Sequence, residues 1–405
     1  MNFKIRGRSF KKVCFFTTDS KPHVGGAAEY LHGLCEALGK SYEVELYSTV
    51  DCCEEYPRAH YKAKQLKSRP VRNLGDRLWD RLTPLRKLNT WLYFRQLEKM
   101  AVHEIGTLIT KDSLVLISYW PPDSHFWCRA CQMLRIPYLV ICHGLELVYS
   151  LKGLPKRWRK KDVQRAFMLI TNSRPTGELA RIVCGKEIGY TVLNPGIDPN
   201  SCREPSSQQL LAKRVELGLP EASFVLLSVG YLTKRKGFDL ALQAFAELRH
   251  EFPGLYYLIA GDGPERDYLK QLAHVLGADS KIRFIPKADD EEKWLLYGLS
   301  DLFIMPNRTL EGSDWEGFGI VFLEAALAGK PSLGGNNGGV PDAVVHGSTG
   351  LLVNTCDYLE TKEALASLIR DQAKRKQMGE AARQRVLKSF TWDFLVQGLV
   401  QRCND

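Results

Sequence analysis

Residues 314–342 read D-W-E-G-F-G-I-V-F-L-E-A-A-L-A-G-K-P-S-L-G-G-N-N-G-G-V-P-D, and they divide into a loop, a helix, a strand and a glycine-rich turn. Gly317-Phe318-Gly319 lets the backbone bend closely past a ligand, with Glu316 beside it in the loop. From Ile320 onward the apolar residues Val321, Phe322, Leu323 and Leu327 predict a buried helix. Amides at such a helix start have no carbonyl one turn earlier and sit at the positive end of the helix dipole, which suits a phosphate. Glu324 falls about one turn in. A carboxylate on so apolar a helix, eight positions after another in a Gly-rich loop, points to function more than to a capped core helix with a stray charge.

Glu316 and Glu324, with G-F-G-I-V-F-L-E-A leading from one to the other and G-G-V-P-D-A-V after, resemble the E-x7-E signature of retaining GT-B glycosyltransferases of family 4. The run M-P-N-R…E-G-F-G-I-V-F-L-E-A and an H-G-x-E segment at His143 look most like members that transfer mannose from GDP-mannose to lipid acceptors. UDP-sugar enzymes share nearly all of these residues.

The rest of the chain is compatible with that scale and chemistry. A length of 405 residues suits two domains of about 200 residues better than one core. Eleven cysteines form an odd set without framework spacing. The one C-x-x-C, Cys128 to Cys131, lacks a second pair or His ligands at zinc spacing, so scattered reduced thiols of a cytosolic protein are the reading. The basic start M-N-F-K-I-R-G-R-S-F-K-K has no apolar core for a signal peptide, and no run approaches the ~18 apolar residues of a membrane span. The net charge of +10 is uneven: residues 1–200 carry 32 Lys and Arg against 19 Asp and Glu, and the remainder 24 against 27. Such asymmetry predicts different partners for the two halves.

In chain order, an apolar strand over Lys12–Thr18 leads into P-H-V-G-G-A-A-E-Y, the strand, Gly25-Gly26 turn and helix that open a nucleotide-type α/β domain. This is not the G-x-G-x-x-G dinucleotide fingerprint. Glu43 to Thr49 reads as a second strand. Residues 61–99 hold eleven Lys and Arg interleaved with Leu, Trp, Tyr and Phe. That pattern fits a helix on an anionic membrane surface and equally a solvated helical face over an ordinary core. No nucleic-acid recognition motif accompanies it.

Strands at Leu114–Ile117 and Tyr138–Cys142 follow, and the second delivers His143-Gly144-Leu145-Glu146 where open α/β sheets bind ligands. A histidine after a strand is often structural; the strand-end position and the following glycine favour a ligand or catalytic role. Lys156, Arg157, Lys160 and Lys161, around Trp158, make the densest positive patch, suited to phosphate of an acceptor or of lipid headgroups. A polar linker is expected over Ser201–Glu221, then a second α/β unit from S-F-V-L-L-S-V-G, a buried parallel strand.

What the resemblance implies is an α/β protein of the GT-B class. Two Rossmann-like domains would face each other across an interdomain cleft, residues 1–203 with a C-terminal crossover helix at 388–405 on the acceptor side and 204–387 on the nucleotide-sugar side. It assigns Glu316 and His143 to catalysis, His143 contacting the sugar or acceptor. It assigns Gly25, Gly26, Lys236, Arg235, Phe318, Gly319, Ile320 and Glu324 to the donor, with Glu324 on the ribose hydroxyls and Lys236 and the amides near Gly319 on the diphosphate. Family members usually place an Arg directly after the glycine of G-Y-L-T-K-R-K-G; here Tyr231 stands there, and Lys234 or Arg235 would supply the charge. No cofactor and no metal are expected, since no D-x-D in acidic surroundings is evident. The expected partners are a nucleotide-sugar, a glycan or lipid-linked acceptor and an anionic membrane surface, with no nucleic acid. The implied activity is retaining hexosyl transfer in cell-envelope or polysaccharide biosynthesis, in the cytoplasm or peripherally on the inner membrane face. The rival readings are a sugar-nucleotide-binding protein without turnover and a GT-B phosphorylase or epimerase.

Overall fold

The computed structural model describes residues 3–5, 8–18, 25–49, 60–66, 84–119, 123–144, 146–147, 154–185, 187–202, 204–286, 288–310 and 315–404, without the side chains of 84–93 and 154–159. Contacts divide the chain into two units, Met1–Asn194 with Trp392–Asp405, and Pro195–Thr391. The division falls before residue 203 because Ile197 is bridged to Thr391, which ties this turn to the second unit.

The first unit opens with a hairpin of β1 (Phe3–Ile5) and β2 (Arg8–Phe10). Its main sheet holds β3 (Lys12–Thr17), β4 (Glu43–Ser48), β5 (Lys62–Gln65), β6 (Ser113–Ser118), β7 (Tyr138–Cys142), β8 (Met168–Thr171) and β9 (Tyr190–Val192). The spatial order is β5-β4-β3-β6-β7-β8-β9, every neighbour parallel. β6 and β7 are buried along their whole length, as continuous apolar strands covered on both faces must be. Lys62 and Lys64 therefore do not belong to a surface helix: they lie on edge strand β5, where Lys64 pairs with the buried Glu45 at 2.6 Å. A helix does run over Pro84–Leu108; the basic residues between 67 and 83 fall outside the described residues.

The C-terminal helix Trp392–Asn404 completes this same unit, while residues 388–391 belong to the second. Trp392 fills the space a side chain at Gly33 would need, its Nε1 only 2.1 Å from an ideal Cβ there. Lys40 meets Asp393 at 2.7 Å, and Arg402 donates to the Val192 carbonyl at 2.8 Å.

In the second unit, β10 (Phe224–Val229), β11 (Leu255–Ala260), β12 (Ile282–Ile285), β13 (Leu302–Met305), β14 (Ser332–Gly335) and β15 (Gly350–Val353) form a parallel sheet in the order β12-β11-β10-β13-β14-β15. Chain order reverses between β10 and β13, which makes this the switch point of the sheet. Each unit is thus a doubly wound, Rossmann-like sheet, the two-domain α/β architecture of the GT-B class. The stretch 201–221 is not an extended linker, because Ser207–Glu216 is a helix. Ser206 and Gln209 cap it reciprocally, and Lys213 is buried in ion pairs with Glu216 and Glu292.

Candidate active site

The switch point between β10 and β13 gathers the carboxylates and cations that the sequence singled out. Leaving β10, Gly230 adopts φ 149°, and the Lys236 ammonium lies 2.9 Å from where its Cβ would be. Lys234–Lys236 form one 3₁₀ turn closed by Gly237 at φ 72°. Any side chain at Gly237 would run into the Pro306 carbonyl, so the turn sits directly on the chain leaving β13.

Glu316 is held from below by the second glycine pair. Its carbonyl accepts from the Gly339 amide at 2.9 Å, and a Cβ at Gly338 would lie 2.2 Å from the same carbonyl oxygen. Backbone packed on backbone fixes the main chain at Glu316. Around its Oε2 stand Lys236 Nζ at 3.7 Å, Arg235 Nε at 3.8 Å and Asn307 Nδ2 at 3.4 Å. All three lie beyond the ~2.9 Å of a charge-assisted hydrogen bond. The cluster is assembled but not locked.

Gly319, at φ 88°, starts the helix Ile320–Leu327. The Phe318 side chain is buried and faces Phe390 with ring centroids 6.0 Å apart, so only its backbone is available to a ligand. One turn into the helix, Glu324 is bound tightly: Lys293 donates to Oε1 at 2.8 Å and Tyr297 to Oε2 at 2.9 Å. Burial works against the Lys293 ammonium, but the adjacent carboxylate outweighs it and raises its pKa. Burial, with Glu324 beside it, also pushes the Tyr297 phenol well up, so it stays a donor.

In the first unit, His143 follows β7. Its ring edges onto Tyr30 at 5.1 Å and its Nε2 lies 3.3 Å from Ser118 Oγ. Its backbone is fixed on both sides: its amide and that of Gly144 donate to buried Glu146, at 2.6 and 3.0 Å, and its carbonyl accepts from Asn172 at 2.9 Å. Burial lowers the imidazole pKa to about 4, leaving a neutral ring at pH 7. Gly25 precedes the helix Gly26–Gly39, and no described atom lies within 4 Å of a Cβ built on Gly25 or Gly26. Lys160 and Lys161 are exposed on the helix Leu154–Arg165; the side chains of Lys156 and Arg157 lie outside those described.

Comparison with known sequences bears on this geometry. Residues 24–201 match the model of the family described as Glycosyltransferase Family 4, and residues 211–385 that of Glycosyl transferases group 1. Over 263 residues the chain is 37% identical to the GDP-mannose-dependent alpha-(1-6)-phosphatidylinositol monomannoside mannosyltransferase of Mycobacterium tuberculosis, covering 64% of this chain and 68% of that one. The chain belongs to glycosyltransferase family 4. Its counterpart with the same description in Mycolicibacterium smegmatis aligns over 93% of this glycosyltransferase and 94% of its own length at 28% identity. Among solved structures, Anabaena HepE in complex with UDP and glucose superposes with a TM-score of 0.76 at 20% identity, covering 98% of this chain and all of that one. That likeness supports the fold.

Of the residues anticipated from sequence, Lys236, Arg235 and Glu316 come together in the second unit of this glycosyltransferase with Gly319 beside Glu316, while Ile320 and Glu324 follow on the helix. Tyr231 is 65% exposed and Arg235 reaches Glu316, which identifies Arg235 as the second cation facing that carboxylate. Lys293 and Tyr297 escaped the sequence reading, and Asn307 and Arg308 stood in the M-P-N-R run without a role of their own. Lys293 and Tyr297, an i, i+4 pair on the helix Asp290–Leu299, hold Glu324, while Asn307 and Arg308 follow β13. Among the described residues no group of His, Cys, Asp and Glu could hold a metal ion, and no helix is long and apolar enough to cross a membrane.

Proposed function

We propose that this glycosyltransferase moves mannose from GDP-mannose to a glycan or lipid-linked acceptor with retention of anomeric configuration, in building a cell envelope or polysaccharide. The observation that carries the reading is the convergence of Arg235 and Lys236 on Glu316 at the switch point. Two cations beside one carboxylate suit a donor whose diphosphate needs positive charge and whose sugar needs a hydrogen-bond acceptor. In this reading Lys236, Arg235 and the first amides of the helix Ile320–Leu327 hold the diphosphate, so its charge is met by protein groups. Glu324, which retains acceptor capacity beyond Lys293 and Tyr297, takes the ribose hydroxyls. Glu316 contacts the transferred sugar. Gly25 and Gly26 give way to the donor or acceptor, and neutral His143 contacts sugar or acceptor. When the bond from the anomeric carbon to the diphosphate breaks, its electron pair leaves with the nucleoside diphosphate, and the cations stabilise that leaving group.

The named mannosyltransferase relatives favour GDP-mannose over a UDP-sugar. Thermal-shift titration with GDP, UDP and ADP tests the donor, since a ligand bound only by the folded state raises stability by mass action. Stabilisation by GDP together with mannosyl transfer from GDP-mannose is the expected result. Preference for UDP would move the donor to a UDP-sugar, and no shift from any nucleotide would remove the donor site. A lipid-linked acceptor also implies peripheral binding to the inner membrane face through Lys156, Arg157, Lys160 and Lys161. Binding to anionic vesicles that weakens with salt and with charge reversal at these positions is the expected result; equal binding to neutral vesicles would refute it.

A further inference from the structure

We propose that Arg308 is a positioning residue that sets the two donor cations against Glu316, acting through the turn Lys234–Lys236. The inference rests on the donor-site reading above. Arg308 binds that turn at two points and the helix after it at a third. Its amide donates to the Arg235 carbonyl at 2.8 Å, its Nε to the Lys234 carbonyl at 3.0 Å, and its Nη2 to both carboxylate oxygens of Asp239 at 2.9 and 2.8 Å. Asp239 lies in the first turn of the helix Phe238–Leu248, directly after the closing Gly237. One side chain therefore pins the start and end of the cationic turn to the chain leaving β13.

The residue before it holds the other partner. Asn307 is fully buried and directs its Nδ2 at Glu316 Oε2, while its carbonyl accepts from Asn337 at 3.2 Å. The acid and the cations are thus referred to two consecutive residues. Three successive cations in one 3₁₀ turn repel one another, so the turn needs outside support to hold one shape. Arg308 supplies it without adding net charge, because Asp239 neutralises it in a largely enclosed pair, 18% and 14% exposed. Its effect on the donor runs through the geometry of Arg235 and Lys236.

The experiment is a double-mutant cycle read by calorimetric GDP binding and by donor KM against kcat. Arg308→Met is expected to weaken GDP binding about tenfold, the effect of losing hydrogen bonds to a charged group, and to raise donor KM more than it lowers kcat. Asp239→Asn should move both in the same direction by less. In a Lys236→Met background, adding Arg308→Met should cost only about threefold, because one of the two groups it positions is gone. Should Arg308→Met fail to fold, Arg308→Lys serves instead: it keeps the charge but cannot reach Asp239 and the Lys234 carbonyl together, and an intermediate loss is expected. Wild-type GDP binding by the Arg308 variant overturns the role. An undiminished loss in the Lys236→Met background also overturns it, since Arg308 would then touch the donor directly. If Lys236→Met alone binds GDP like wild type, the donor site itself is misassigned and the positioning role falls with it.

Discussion

Glu316 and Glu324 lie eight positions apart, yet the chain treats them in opposite ways. Glu324, on a helix, is held by short bonds from Lys293 and Tyr297 at 2.8 and 2.9 Å. Glu316, in a loop seated on glycines, is ringed by Lys236, Arg235 and Asn307 at 3.4–3.8 Å. A carboxylate already committed to protein donors makes a fixed landmark for a ligand. One surrounded by donors at looser range can exchange partners as charge develops. In the proposed function, this difference assigns binding to Glu324 and chemistry to Glu316.

The contrast breaks most sharply on activity. Glu316→Gln is expected to lower kcat on the order of a thousandfold while GDP affinity and the melting temperature stay near wild type. Glu324→Gln should instead raise donor KM about tenfold with a smaller loss of kcat. Identical kinetic patterns for the two variants would show that they share one role. Next in size, Lys293→Met leaves Glu324 without its cation, and denaturant unfolding should report a loss of about 1–3 kcal/mol. Tyr297→Phe should cost about 1 kcal/mol in the same assay. An unchanged midpoint in both would mean that Glu324 is not anchored as described.

The pH dependence of stability carries the comparison to the first unit. The folded-state pKa of His143, about 4, lies below the usual value of 6.5. The unfolded chain therefore binds this proton first, and stability falls as pH drops from about 6.5 toward 4. Replacing His143 by Asn should flatten the stability profile in that window alone. A wild-type slope would show that the ring is already protonated in the fold.

Much of this was legible before any coordinates. Continuous apolar runs such as Val225–Val229 and Tyr138–Cys142 announce buried parallel strands, and the G-F-G loop with its two glutamates announces the site. What escaped did so for physical reasons. β5 reads K-A-K-Q because an edge strand buries little, so its sequence lacks an apolar signature. The helix Ser207–Glu216 is polar enough to pass for a linker, although the spacing of Ser206 and Gln209 held a readable capping signal. Lys293 and Tyr297 precede Glu324 by about thirty residues, and only tertiary packing brings their helix against it. Arg308 acts on residues some seventy positions earlier, a relation that the pairing of β10 with β13 creates and local pattern cannot carry.

The helix Trp392–Asn404 has a consequence for the birth of the protein. The first unit is synthesised first, but its core is unfinished until Trp392 arrives to fill the space above Gly33. Residues 195–391, by contrast, leave the ribosome as an unbroken block able to fold on its own schedule. Amino-terminal sequence must then wait, with apolar surface uncovered, while the later unit is made. For nascent chains stalled before Trp392, a protease should spare the second unit and cut the first.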